Sequence, residues 1–103
     1  MRIIIDLDGT ICTEKSFKNR KQSKLIKGAK TSIDKLYKKN NITIYTARGW
    51  NELKTTKSWL KKNKIKYHQL ILGKPVGDVW IDDRALKFEN WKTINKKLSK
   101  LKK

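Results

Sequence analysis

The chain has 103 residues, 37% of them hydrophobic, which is enough for one compact domain spanning residues 1–103 and leaves little for a second. No stretch approaches the roughly 18 apolar residues of a membrane span, and three apolar residues before Asp6 are too few for a secretory leader. Lys and Arg number 27 against 9 Asp and Glu, a formal net charge of +18, and the single cysteine, Cys12, excludes an internal disulfide, so a cytoplasmic protein kept in reducing conditions is expected.

In chain order, Arg2 to Asp8 is apolar and β-branched and ends in Asp8-Gly9-Thr10, the pattern of a buried strand running into a turn. Residues 9–23 are polar and aperiodic, a loop or flap. Ile26, Ala29, Ile33, Leu36 and Tyr37 recur at helical spacing and predict a helix over about residues 24–39, stopped by Asn40-Asn41. Asn41 to Thr46 alternates and is rich in β-formers, a second strand. Trp50, Leu53, Trp59 and Leu60 mark a helix ending near Asn63. Tyr67 to Leu72 is a third strand closed by Gly73, and a turn at Pro75 to Gly77 leads into Val79-Trp80-Ile81, a short fourth strand ending at Asp82-Asp83. Phe88, Trp91, Ile94, Leu98 and Leu101 give a final helix with a lysine-covered outer face. Strands alternating with helices predict an α/β domain with a parallel sheet.

The placement of acids stands out in so basic a chain. Asp6 and Asp8 are two residues apart on a strand, so both carboxylates project from one face at its carboxyl end, where open α/β sheets bind ligands. Asp8 alone fits a turn. Asp6 interrupts an aliphatic run, where an unpaired charge is expensive. Asp82-Asp83 also follows an apolar strand. Four converging carboxylates need a cation to stay ionised together, and oxygen donors without His or Cys select a hard ion such as Mg²⁺. Thr46 ends the second strand and offers a hydroxyl and an amide to a phosphoryl oxygen, and Lys74, between Gly73 and Pro75, offers an ammonium.

Asp-Leu-Asp-Gly-Thr at 6–10, Thr46-Ala47-Arg48-Gly49, Gly73-Lys74-Pro75 and Ile81-Asp82-Asp83-Arg84-Ala85 resemble the four ordered motifs of the haloacid dehalogenase superfamily of phosphatases, over residues 3–85. The Ile81-Asp82-Asp83-Arg84-Ala85 run and the Thr46-Ala47-Arg48-Gly49 loop resemble in particular the small members encoded with bacterial capsule and surface polysaccharides, which are thought to act on sugar phosphates. The resemblance implies a Rossmann-like three-layer sandwich with a short parallel sheet of about four strands in the order 3-2-1-4. It makes Asp6 the nucleophile that forms an aspartyl-phosphate and Asp8 the general acid/base. Thr46, Ala47 and Lys74 would hold the phosphoryl group, with Lys74 also assisting catalysis. Asp6, Asp8, Asp82 and Asp83 would be the Mg²⁺ site. A carboxylate attacks an anionic phosphate only where nearby positive charge offsets the repulsion. The gaps between motifs leave no room for a cap domain, so the site is expected to be open to a large substrate or covered by a second copy of the chain.

The remaining candidates have plainer roles. His68 is expected to be structural, and Cys12 to play no catalytic part. Trp50, Trp59 and Trp91 at helical spacing are expected to pack in the core, and Trp80 in the sheet. Arg48 and Arg84 either touch substrate or bridge to the acids. Beside a phosphomonoesterase stand two alternatives. One is a nucleic-acid partner, as an end phosphatase or a silent binding module, motivated by the charge but weakened because only four of the 27 cations are arginine, leaving 23 lysines without the guanidinium fork. The other is a phosphoacceptor receiver domain, which needs its acceptor Asp near the middle of the chain, where this one has Thr46.

Overall fold

The computed structural model describes residues 1–101; residues 102–103 lie outside it. Three strands form a parallel sheet in the order β1-β2-β3: β1 (Arg2–Ile5), β2 (Asn41–Tyr45) and β3 (Gln69–Ile71). Three helices alternate with and follow them: α1 (Ala29–Lys39), α2 (Leu53–Lys62) and α3 (Trp91–Leu101). This is a small Rossmann-like α/β fold with an open sheet. Its three strands take the neighbours expected of them.

The register explains which face of the sheet is inside. Ile3 pairs with Ile42 and Ile5 with Ile44, and Ile44 pairs in turn with Leu70. These side chains belong to one apolar core with Ile33 and Leu36 of α1, Trp59 and Leu60 of α2, and Trp91, Ile94 and Leu98 of α3. The alternate residues face the other way, and there Ile4 is 68% exposed. Each helix buries one stripe at a spacing of three and four residues, the arrangement that lets a lysine-rich sequence fold around few apolar groups.

Three expectations need correction. The helix foreseen over 24–39 begins only at Ala29, because Gly28 takes the left-handed conformation (φ 85°) and sets the chain's entry into α1. The polar flap contains a 3₁₀ turn at Phe17–Gln22. The fourth strand is not formed among the described residues: Val79, Trp80 and Ile81 are 75%, 53% and 95% exposed, residues 75–87 are exposed throughout, and β1 keeps a free edge. A strand buried in a sheet gains its stability from ladder hydrogen bonds and packing on its faces. Residues 79–81 have no ladder partner here and lie outside the core, so they remain an irregular arm between β3 and α3. No described helix is long and apolar enough to cross a membrane.

Candidate active site

The loops that follow the three strands meet at the carboxyl end of the sheet. After β1, the carbonyl of Leu7 accepts hydrogen bonds from the amides of Thr10, Ile11 and Cys12 at 3.2, 2.9 and 3.1 Å, a tight turn that holds Asp6 and Asp8 at its base. The loops after β2 and β3 are tied together: the Lys74 amide donates to the Thr46 carbonyl (2.9 Å) and the Gly73 amide to the Arg48 carbonyl (2.9 Å). Gly73 turns with φ 78°, a conformation glycine adopts without penalty, and this turn carries Lys74 back toward β1.

Lys74 Nζ lies 3.6 Å from Asp6 Oδ1, with both side chains partly exposed. Burial pushes the Asp6 carboxyl above the ordinary 3.8; Lys74 and the Leu7 amide pull it down, and the Asp8 charge adds to the rise. The carboxylate and the ammonium thus share one accessible spot at the end of the central loops.

Asp8 has a different environment. Arg48 grips it with both arms of its fork, Nη2 to Oδ1 at 2.8 Å and Nε to Oδ2 at 2.9 Å, and Arg20 Nη1 reaches Oδ2 at 3.3 Å. The Arg48 side chain is fully buried and gives a further hydrogen bond to the Thr56 hydroxyl (3.1 Å). Burial opposes the Arg48 charge, but the hydrogen bonds and charge of Asp8 more than compensate, and the guanidinium is held above its ordinary value. Arg20 also donates from Nε to Glu52 Oε1 (3.0 Å), and Glu52 Oε2 accepts from the Gly49 amide (3.3 Å) at the 3₁₀ turn Trp50–Glu52 that precedes α2. The flap, the β1 loop and the start of α2 are therefore joined through one network of two arginines and two carboxylates. Both Asp8 oxygens are engaged in it, so a proton-transfer role requires the fork to loosen first.

Thr46 is fully buried and its hydroxyl accepts a hydrogen bond from the Arg48 amide at 3.2 Å, which leaves the neighbouring Ala47, an exposed residue, as the accessible part of that loop. Asp82 and Asp83 are exposed on the arm, and Asp82 Oδ1 accepts from the Arg84 amide (2.8 Å) in a local turn. The four carboxylates expected around Mg²⁺ are not brought together, and no group of three or more His, Cys, Asp or Glu able to hold a metal occurs among the described residues. With Asp8 held by arginines and Asp82 turned into its own loop, the donors in this arrangement do not fit a magnesium ion. The missing fourth strand is the physical reason, since that strand alone would carry Asp82 and Asp83 to the sheet's end.

Cys12 is buried against Asp8 and Arg48, and burial, aided by the Asp8 charge, pushes its thiol up to about 12, so it is a protonated packing group. His68 accepts a hydrogen bond at Nδ1 from the Ile42 amide (3.0 Å) and stacks on Tyr37, the structural role expected of it. Trp59 and Trp91 are core residues, whereas Trp50 and Trp80 are exposed, contrary to expectation. Sequence reasoning missed Arg20, Glu52 and Thr56. Only Arg20 carried a signal, its rarity: in a chain with 23 lysines and four arginines, an arginine marks a place where a planar fork is needed.

No family model matches the chain, and no curated protein matches it. Solved structures share its fold. A crystal structure of an MCSG target from Vibrio cholerae is 23% identical over 98% of this chain and 98% of its own length, with a TM-score of 0.71. A structure of the Pnkp1/Rnl/Hen1 complex is 19% identical over 80% of this chain, with a TM-score of 0.63, and the match spans 30% of that chain. At these identities the likeness is one of fold.

Proposed function

We propose that the protein is a phosphomonoester hydrolase of the haloacid dehalogenase type, acting through Asp6. The observation that carries the proposal is the partly exposed Asp6 carboxylate at the carboxyl end of β1, with the Lys74 ammonium 3.6 Å away. An oxygen of Asp6 attacks phosphorus, the phosphorus–ester oxygen bond breaks, and the leaving alkoxide takes up a proton. Water then cleaves the aspartyl-phosphate to inorganic phosphate and restores the carboxylate. Lys74 lowers the repulsion between the carboxylate and the phosphate and holds a phosphoryl oxygen, with the Ala47 loop beside it. Asp8, once free of the Arg48 fork, supplies and recovers the proton. The magnesium ion that the sequence resemblance implies has no assembled donor set here.

The substrate is a phosphorylated metabolite such as a sugar phosphate, or the phosphorylated end of a nucleic acid. A second reading, a basic nucleic-acid-binding module without catalysis, is favoured by one observation: the arginines occupy both oxygens of the residue that would transfer the proton.

The test is phosphate release from an aryl phosphate by the purified chain, with and without added Mg²⁺. Release is expected to fall by about a thousandfold or more in Asp6→Asn and by about a hundredfold in Lys74→Ala. Undiminished release in Asp6→Asn overturns the proposal.

A further inference from the structure

The rim of this site is aromatic. Lys74 Nζ lies 5.3 Å from the centre of the Trp80 ring and 5.9 Å from that of Tyr45, both within cation–π range. Trp50 packs against the adjoining residue, since a Cβ placed on Gly73 would come within 3.1 Å of its Nε1. Two indoles thus border the Gly73–Lys74 loop, and they are 59% and 53% exposed. The other two tryptophans serve the core, with their ring N–H groups donating to the carbonyls of Ser23 (2.9 Å) and Thr10 (2.8 Å). Leaving two indoles in water beside a phosphate-binding ammonium forgoes a large apolar burial, which a flat ligand would restore.

We propose that Trp50 and Trp80 form a stacking platform for the terminal base of a single-stranded nucleic acid whose end phosphate is held at Lys74. The inference rests on the phosphate site described above and names the substrate class it serves. Two arguments favour a strand over a phosphorylated sugar. A base presents a continuous π-face to an indole. A strand presents phosphates in series to a chain of net charge +18, whereas a monosaccharide phosphate uses little of that field. The scarcity of arginine, which counts against base-specific readout, is no obstacle here, because sequence-tolerant single-strand binding needs only a positive groove and ring faces.

The experiment uses the full chain carrying Asp6→Asn, so that ligand is not consumed, and follows tryptophan emission on titration with short oligothymidine phosphorylated at either end. The control is an abasic strand of the same length and charge. The phosphorylated oligothymidine is expected to quench emission and to bind about tenfold more tightly than the abasic strand. Trp50→Ala and Trp80→Ala should each erase most of that difference, while Trp50→Phe retains part of it. Equal affinity for base-bearing and abasic strands overturns the platform. Base-dependent binding by a wild-type chain that releases no phosphate removes the hydrolase reading and leaves the platform standing. Phosphate release from base-bearing and abasic ends at equal KM does the reverse.

Discussion

Asp6, the proposed nucleophile, is held at the expense of the fold. Burial is the main reason its carboxyl binds a proton more tightly in the folded chain than in the unfolded one, and Lys74 only partly offsets it. The sign of the pH effect follows. A carboxyl whose folded value is raised contributes stability below the unfolded value, and that contribution is lost as pH rises through the folded value. At neutral pH, then, ionised Asp6 is a cost that Asp6→Asn removes. The Asp6→Asn variant should melt at a higher temperature than the wild type at pH 7, and the gap should narrow as the pH falls toward 3.8 and the wild-type carboxyl takes up its proton. Thermal melts of both proteins across this range check it; a gap of constant size would mean that the amide stabilises by packing alone. Asp8, one residue beyond Leu7, shows the opposite design, a carboxylate fixed by two guanidiniums in an arrangement whose removal would leave Arg48 buried and unpaired.

At the level of elements, the legible parts were those with a strict local period. Ile3 to Ile5, Ile42 to Ile44 and the stripes of α1, α2 and α3 read correctly because alternation and helical spacing are properties of neighbours in the chain. Asp6 and Lys74 were legible for a related reason: each ends or follows an apolar run, so topology alone brings them to one edge. Val79-Trp80-Ile81 failed the same logic, since a short apolar run reads alike whether it lies in a sheet or on a rim. Trp50 failed because it sits in the 3₁₀ turn before α2 and does not share the helix's buried stripe. The bridge from Arg48 to Asp8 was one of two roles the sequence left open for that arginine, whereas Arg20 was missed because it lies in an aperiodic flap whose spacing shows no partner. The arm carries its own expectation. Residues 75–87 are exposed, while the flap is tied down through Arg20, through Thr13 to Lys24, and through Trp59 to Ser23. Limited trypsin digestion should therefore cut first after Arg84 or Lys87, and the two fragments should stay associated through the packing of Trp91, Ile94 and Leu98. A first cut in the flap, read by mass spectrometry, would show the network around Asp8 to be weaker than the geometry implies.

For the molecule as a whole, the net charge is +18, and the described residues have a radius of gyration of only 13.4 Å. At about 0.01 M salt the screening length is roughly 30 Å, so every lysine feels every other; at about 0.1 M it shrinks to roughly 10 Å and much of that repulsion is lost. The ion pairs that matter to the fold, Arg48 with Asp8 and Arg20 with Glu52, are largely buried and are screened far less than the surface charge. Added NaCl should accordingly raise the melting temperature between about 0.01 and 0.3 M, because it relieves repulsion more than it weakens attraction. Over the same range the affinity for a phosphorylated strand should fall steeply, since binding releases counterions from the strand and salt opposes that release. The two slopes have opposite signs for one reason: salt screens the same surface charge, which repels itself within the chain and attracts an anion outside it. A melting temperature that fell with salt would place the balance of charge in the arginine network and remove the electrostatic argument for a polyanionic substrate.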